Sequence, residues 1–539
     1  MMPTSLQLGP ILGYHGGAKR SVVVLLDDVE GDGPSIEVSS VLERFEAKRI
    51  LLGKFPSRDS AASSSPSRCV WKFEFDLGPA PSGTIHYQVL LAGLALQGAW
   101  KDAPSQFQFE HARTSAEMRI LFGSCMDTED PKGKGKRRPE KGYGKFVEDL
   151  RERAGDPLHL LILGGDQVYT DGFLPARWWL RPAAVESAIL GCYLDGWTNR
   201  PGLARMLAET PSVMMWDDHD ILDGYGSHLD EAHEGRVEND PGKLREIVFP
   251  NAAKCFDMLQ LRQSIPVTTE ELFRNRSWVM RQDTLVLAAL DARTERDINQ
   301  HRIVTQASLD AWVREIEAEI DEVGEGDAHV LLVIPIPLLH LRYSGRFQNF
   351  LAEIGSDFGD DLMDNWSFSK NLPQELRLVK AIASLRQRVR RLVLLSGDSH
   401  MASAGMMVVK SASGELTVQQ VTSSGLENTP GCVKSLGITG PGGEVPGNNL
   451  LKHFHPIGSM ERWHDFGDLG DGLRAAYRLL PVKGESRGFD RKAKHHYFDR
   501  SFFYGARNAA LIRLGDDPSV EWIFEHPGKQ PKSPWPLEA

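Results

Sequence analysis

Cysteine is scarce in this chain and forms no recognisable pair. Five residues, Cys69, Cys125, Cys192, Cys255 and Cys432, stand far apart with no Cys-x-x-Cys among them. A disulfide framework is therefore not expected, and the thiols are read as reduced. Long apolar runs are missing too: no stretch approaches the roughly 18 consecutive apolar residues of a spanning helix. Basic charge is in deficit, since 62 Lys and Arg against 73 Asp and Glu leave a net charge of −11. Phosphate backbones select basic surfaces, so a stable nucleic-acid partner is not expected. The N-terminus shows neither a charged segment before an apolar core nor a twin arginine. The cytoplasm is the expected compartment, with secretion the alternative for a chain that has lost a leader. There is no internal repeat, and nothing in the pattern sets an oligomeric state.

What the chain has is an ordinary globular composition, 41% hydrophobic and 25% charged over 539 residues. Residues 1–112 read as β. Ser21–Leu26 is a β-branched run, and Val70–Phe75 and His86–Leu91 alternate with period two around a Ser-rich loop at 61–67. Several short strands over about a hundred residues predict a small N-terminal β-sandwich. No catalytic constellation falls there.

From residue 113 the pattern becomes α/β. Buried-looking strand runs at Met118–Phe122, Leu158–Leu163, Val213–Trp216, Thr284–Leu290, Val330–Ile334 and Leu392–Leu395 alternate with helical periods at Phe146–Ala154, Pro175–Leu190, Leu309–Val323 and Glu375–Arg391. More strands follow at Met406–Val409, Leu416–Val421, Ala509–Leu514 and Val520–Phe524. Residues 425–500 lack periodicity and read as an irregular covering segment, leaving 501–539 to complete a sheet. His453, His455, His464, His495 and His496 in that region are best explained as part of a solvated or packed loop. Trp178, Trp179 and Trp312 are simplest as helix core. The insert 131–145, PKGKGKRRPEKGYGK, reads as a solvated loop, the alternative being a cationic flap that steers an anionic substrate.

Polar turns follow the apolar runs repeatedly. Phe122 leads into Gly123-Ser124-Cys125, and Leu163 leads into Gly164-Gly165-Asp166-Gln167-Val168-Tyr169. Trp216 leads into Asp217-Asp218-His219-Asp220, and Leu395 into Ser396-Gly397-Asp398-Ser399-His400. Singly these are weak: Gly-Asp is common in turns, and a lone Cys is commonly a small buried hydrophobe. Three acids around a histidine at a strand end, however, make a poor core. Ligands bind beyond the carboxyl ends of strands in α/β sheets. Four such turns together would gather carboxylates, imidazoles, a thiol and a phenol. Such a cluster repels itself unless it is protonated or holds metal ions.

This order of motifs resembles the calcineurin-like metallophosphoesterases, and its variants resemble the PhoD-like alkaline phosphatase/phosphodiesterase family. The variants are Phe-Gly-Ser-Cys ending at Cys125, Gly-Asp-Gln-Val-Tyr ending at Tyr169, Trp-Asp-Asp-His-Asp ending at Asp220, and Gly-Asp-Ser-His ending at His400. Leu290-Asp291-Ala292-Arg293-Thr294-Glu295-Arg296 is similar to that family's Leu-Asp-x-Arg-x-x-Arg stretch. Asp220 departs from the family's usual Glu. The resemblance implies a four-layer αββα metallophosphoesterase sandwich over 113–539. It also implies a first metal held by Cys125, Asp166, Tyr169 and His400, with Asp166 bridging to a second held by Asp218 and Asp398. Thiolate, phenolate and imidazole suit a transition metal, and an all-oxygen site suits a hard divalent ion. The resemblance favours Fe³⁺ with Ca²⁺, the alternatives being Zn²⁺, Mn²⁺ and Mg²⁺.

The expected chemistry is hydrolysis of a phosphomonoester or phosphodiester, on a small molecule or a polymer, by metal-activated hydroxide attacking phosphorus in line. His219 would assist the leaving group, with Asp217 or Asp220 orienting its ring. Arg293 and Arg296 would grip non-bridging oxygens, unless they form structural ion pairs with Asp291 or Glu295. His340, after Val333-Ile334-Pro335-Ile336-Pro337, is a further substrate-binding candidate. The alternatives are hydrolysis of another ester class (a phosphotriester or non-phosphate ester) on the same scaffold, or a non-catalytic binding protein working through its N-terminal β region.

Overall fold

The computed structural model describes residues 5–28, 33–56, 67–126, 145–227, 241–340, 363–427, 463–480, 503–504, 507–525 and 535–538, apart from residues 79, 156, 176 and 399. The insert 131–145 up to residue 144, the loop 61–66, and His453, His455, His495 and His496 lie outside the described residues.

The architecture is mixed α/β with three sheets. The first has ten strands, in the order Trp535–Pro536, Ser519–Phe524, Asn508–Arg513, Arg119–Gly123, Leu160–Gly164, Ser212–Met215, Leu8–Tyr14, Lys19–Asp27, Arg68–Asp76 and Ala47–Phe55. Its three central strands, Arg119–Gly123, Leu160–Gly164 and Ser212–Met215, run parallel, so their carboxyl ends open at one edge. Their near-continuous apolar runs follow from burial on both faces.

The second sheet orders Trp278–Gln282, Leu285–Ala289, His329–Val333, Arg391–Ser396, Gly414–Ser423, Ala402–Ser411, Leu473–Leu480 and His464–Gly470. Here the period of two is visible in the packing. Leu285, Leu287, Ala289, Leu331, Val333, Val393 and Leu395 share one core with the first sheet. Val286, Ala288, Val330, Leu332, Leu392 and Leu394 face the opposite way. There they meet Leu309, Trp312, Ile316 and Ile320 of the helix Gln306–Val323, and Leu378, Val379 and Ile382 of the helix Leu372–Arg386. Successive side chains of a strand point to opposite faces, so the second sheet packs one face against the first sheet and carries these two helices on the other.

The third sheet consists of Pro34–Ser39, Arg44–Phe45, Gly83–Leu91, Leu94–Ala95 and Phe107–His111. Its Val38, Ile85, Tyr87, Val89 and Phe109 pack with Val22, Val24, Leu26, Phe73 and Phe75 of the first sheet, giving the N-terminal region a sandwich core. The boundary at 112 divides the chain but not the sheet. Leu8–Tyr14 pairs in parallel with Ser212–Met215 at Gly13 and Ser212, so the N-terminal strands extend the same sheet that carries the polar turns.

Three elements differ from the sequence expectation. The helix expected from Pro175 begins at Pro182, whose fixed φ suits the first helical position, after Arg177 turns left-handed at φ 55°. The last large helix runs from Leu372 to Arg386, not from Glu375 to Arg391. Within 425–500 lies a hairpin, His464–Gly470 with Leu473–Leu480, in which Leu473, Ala475, Tyr477 and Leu479 are buried in alternation. No helix among the described residues is long and apolar enough to cross a membrane.

Candidate metal centre

Each polar turn leaves a strand end at the same edge of the two facing sheets. Backbone bonds tie the turns together: Cys125 N–H donates to Gly165 O at 3.1 Å and Met126 N–H to Asp166 O at 2.8 Å. Gly397 N–H donates to Pro335 O at 2.7 Å, which links the turns of the second sheet. The approach is close enough to require glycine. A Cβ on Gly165, which sits at φ +120°, would lie 2.8 Å from Asp217 Cβ, and one on Gly397 would lie 2.7 Å from Ser124 Cβ.

The turns gather the ligand-type atoms expected from the sequence. Cys125, Asp166 and His400 offer atoms within 4.8 Å of one another; so do Asp166, Asp218 and His219, and so do Asp217, Asp218 and Asp398. Asp166 and Asp218 each belong to two groups, so the three groups form one chain of donors. Cys125 Sγ lies 3.4 Å from Asp166 Oδ2, and Tyr169 Oη lies 3.3 Å from His400 Nε2. Four of these residues are held left-handed without being glycine: Cys125 at φ 59°, Asp166 at 56°, Asp398 at 63° and His400 at 52°. Such conformations cost on the order of 1–3 kcal/mol each and persist where the surroundings over-determine them.

The electrostatics fit cations. Burial, then repulsion from Asp218, pushes the Asp166 carboxyl well above the usual carboxylate range. Burial, then Asp217 and Asp364, does the same to Asp398. Asp217 is raised to about 7 by burial and by Asp218 and Asp364, against the pull of Arg293. Burial and the charge on Asp166 push the Cys125 thiol up. Asp166 Oδ1 and Asp217 Oδ2 are buried oxygens with no hydrogen-bond partner. Leaving such atoms unpaired costs about 1–3 kcal/mol or more each, a cost that a bound metal ion at each would remove. The donor set, with a thiol, phenol and imidazole at one end and carboxylates at the other, suits one softer and one harder ion.

The roles assigned to several residues change. His219 is oriented by neither Asp217 nor Asp220. Its Nδ1 lies 2.7 Å from Asp171 Oδ2, and its ring stacks on Tyr169 with centroids 4.1 Å apart. Burial works against a charged imidazole, but Asp171, Asp218 and Asp223 outweigh it and raise His219 well above its ordinary value. Asp171, five residues after Asp166 in the same turn, was not singled out from the sequence.

Arg293 is fully buried, donating to Asp217 Oδ1 through Nε, to Asp364 Oδ1 through Nη1 at 2.7 Å and to Asp218 Oδ1 through Nη2 at 3.4 Å. It is an ion-pair residue inside the carboxylate cluster, paired with neither Asp291 nor Glu295. Arg296 Nε donates to Ser227 Oγ at 2.9 Å and Nη2 to Asp364 O at 2.7 Å, so it too is engaged beneath the site. Asp364, the partner of both arginines, was missed because nothing near it in sequence marks it. Burial disfavours its charge, but Arg293 and Arg296 outweigh that and hold it well below the usual carboxylate range.

Asp291 instead caps its own turn, accepting from Arg293 N, Thr294 N and Trp216 Nε1 at 2.9–3.0 Å. His340 is buried, which lowers its pKa to about 4, and it belongs to none of the three donor groups among the described residues.

No family model matches the chain. Uncharacterized protein YGR266W of Saccharomyces cerevisiae is 24% identical over 331 residues, which cover 47% of this chain and 46% of that protein. The chain thus spans less than half the length of this curated relative. Among solved structures, GAP50, the anchor in the inner membrane complex of Plasmodium, aligns at 10% identity over 78% of this chain and 88% of its own, with a TM-score of 0.28.

Proposed function

We propose that this chain is a dimetal phosphoesterase of the PhoD-like kind, with its two facing sheets and outer helices forming the αββα scaffold of that class. The observation that carries the reading is the linked set of donors Cys125, Asp166, His400, Asp218 and Asp398, with the partnerless buried oxygen Asp166 Oδ1 at its centre. Cys125, Asp166, Tyr169 and His400 would hold the first ion, and Asp166, Asp218 and Asp398 the second. Asp217 lies close enough to the second group to contribute an oxygen. Fe³⁺ with Ca²⁺ is the favoured pair, with Zn²⁺, Mn²⁺ or Mg²⁺ as alternatives. Such ions, when bound, polarise the phosphoryl oxygens and acidify water.

The chain's own residues supply the rest. His219, with Nδ1 held by Asp171, presents its other ring nitrogen as a proton donor to the departing oxygen. Arg293 offsets part of the negative charge of Asp217, Asp218 and Asp364, so that the acids can lie together. Metal analysis of the purified protein, followed by assay on aryl phosphate mono-, di- and triesters and on a carboxylic ester, tests the reading. Stoichiometric metal with turnover of mono- or diesters is expected. Turnover of only triesters or carboxylic esters would move the enzyme to another ester class, and no turnover with metal bound would remove the enzymatic reading.

A further inference from the structure

Asp220 belongs to none of the close donor groups and is not the partner of His219, yet its carboxylate is among the most heavily bonded of the described residues. It is 1% exposed. Oδ2 accepts from Asp166 N at 2.8 Å and Asp217 N at 3.0 Å, and Oδ1 accepts from Gln167 N at 3.2 Å and Gln260 Nε2 at 2.8 Å. The three backbone donors come from two different turns. Asp166 and Gln167 follow the strand Leu160–Gly164, and Asp217 follows Ser212–Met215. One carboxylate therefore fixes the backbone of Asp166, in its left-handed conformation, against the backbone that precedes Asp218.

Gln260 ties this point to the helix layer, because its Nε2 also donates to Tyr193 Oη at 2.8 Å. Gln260 closes a π-helical stretch, Phe256–Gln260, and such stretches frequently sit at functional sites.

We propose that Asp220, braced by Gln260, is a positioning residue that sets the separation of the Asp166 and Asp218 turns and so makes Asp166 able to serve two metal ions at once. The proposal rests on the dimetal reading above. An aspartate suits the task because both of its oxygens only accept, and every group facing it donates. Asparagine would turn one oxygen into an NH₂ aimed at backbone N–H groups. The turns would then part, and a shared ligand would be lost to one ion or the other. Residues that orient metal ligands typically contribute 10–100-fold to metal affinity.

The test is titration of the metal-stripped full-length chain with Zn²⁺ alone, against a competing chelator, for wild type, Asp220→Asn and Gln260→Ala, with melting temperatures of the metal-free proteins. Wild type is expected to bind two Zn²⁺, Asp220→Asn to bind about 10–100-fold more weakly, and Gln260→Ala to show a smaller loss. A lowered melting temperature with unchanged Zn²⁺ affinity would show Asp220 to be merely structural and overturn the proposal. If Asp220→Asn does not fold, Gln260→Ala decides, since unchanged affinity there also overturns it. Wild type that takes up no Zn²⁺ would sink both this inference and the dimetal reading. Wild type that binds two Zn²⁺, loses them on Asp220→Asn and hydrolyses no phosphate ester would leave the positioning role standing and remove only the enzymatic reading.

Discussion

Asp171 Oδ2 lies 2.7 Å from His219 Nδ1, and this contact occupies Nδ1 and leaves Nε2, 3.7 Å from Asp223 Oδ1, as the other ring nitrogen. A histidine so held donates Nδ1–H to the acid and presents Nε2 outward. His219→Ala is therefore expected to lower kcat about 10²–10⁴-fold for alkoxide leaving groups and much less for nitrophenolates, with metal content unchanged. Asp171→Asn should show the same leaving-group dependence with a smaller loss. Loss of metal in His219→Ala would instead make His219 a ligand, which its closeness to Asp166 and Asp218 permits. Equal loss for good and poor leaving groups with metals intact would exclude proton donation.

A second expectation concerns the softer end of the site. Tyr169 Oη and His400 Nε2 are 3.3 Å apart, and Cys125 Sγ lies near Asp166. Phenolate or thiolate bound to Fe³⁺ gives visible charge-transfer absorption. Iron-loaded protein should be coloured, and Tyr169→Phe or Cys125→Ser should shift or remove the band. Full activity with stoichiometric Zn²⁺ and no iron would reject the iron assignment while keeping two metals. Chelation should abolish activity, and Ca²⁺, Mg²⁺ or Mn²⁺ should restore it at the all-oxygen end.

Arg293 supplies a third. A residue that grips substrate and one that neutralises buried acids respond differently to truncation. Arg293 is fully buried between Asp217 and Asp364, so Arg293→Ala leaves Asp217 uncompensated and Asp364 with Arg296 alone. Removing one partner of a buried pair typically costs about 3–5 kcal/mol, so a large fall in melting temperature is expected. A stable variant whose only defect is a raised KM would return Arg293 to substrate binding.

These residues also show what could be read from the chain. Cys125, Asp166, Asp218, Asp398 and His400 were visible because each follows an apolar run, and parallel strands bring their carboxyl ends together. The partners of Arg293 were not visible. Asp217 and Asp364 lie 76 and 71 positions away: the packing of the two sheets brings Asp217 to Arg293, and the connection between the strands His329–Val333 and Arg391–Ser396 brings Asp364. The nearer acids, Asp291 and Glu295, looked like better partners but are engaged elsewhere: Asp291 caps its own turn and accepts from Trp216 Nε1, and Glu295 accepts from Thr305 N at 2.9 Å and Ser308 Oγ at 2.8 Å at the start of the helix Gln306–Val323. The hairpin at 464–480 was legible in principle, since Leu473, Ala475, Tyr477 and Leu479 alternate. It was hidden by the glycines and acids of its first strand, which carries two register shifts. The same holds for the strand Leu8–Tyr14, whose two glycines and proline mask a buried strand that joins the N-terminal region to the rest.

The last expectation is a pH dependence of stability, and its sign follows from two histidines, His15 half-buried and His340 buried. Burial, with Lys72 and Arg262 nearby, lowers His15 to about 3, and burial lowers His340 to about 4. In the unfolded chain both titrate near 6.5. Below that value the unfolded chain takes up protons that the folded chain refuses, so stability is full above about pH 6.5 and falls as the pH drops toward about 4. Each such group contributes a slope of at most about 1.4 kcal/mol per pH unit. His340→Gln and His15→Gln, the latter keeping a partner for Ser21 Oγ, which lies 2.8 Å from His15 Nε2, should each reduce the loss of urea-unfolding stability between pH 6.5 and 5. The effect should be additive, because His15 follows the strand Leu8–Tyr14 of the first sheet and His340 lies beyond the strand His329–Val333 of the second. A pH slope in the double variant equal to that of wild type would show that both imidazoles take up their protons in the folded state, and that acid lability arises elsewhere.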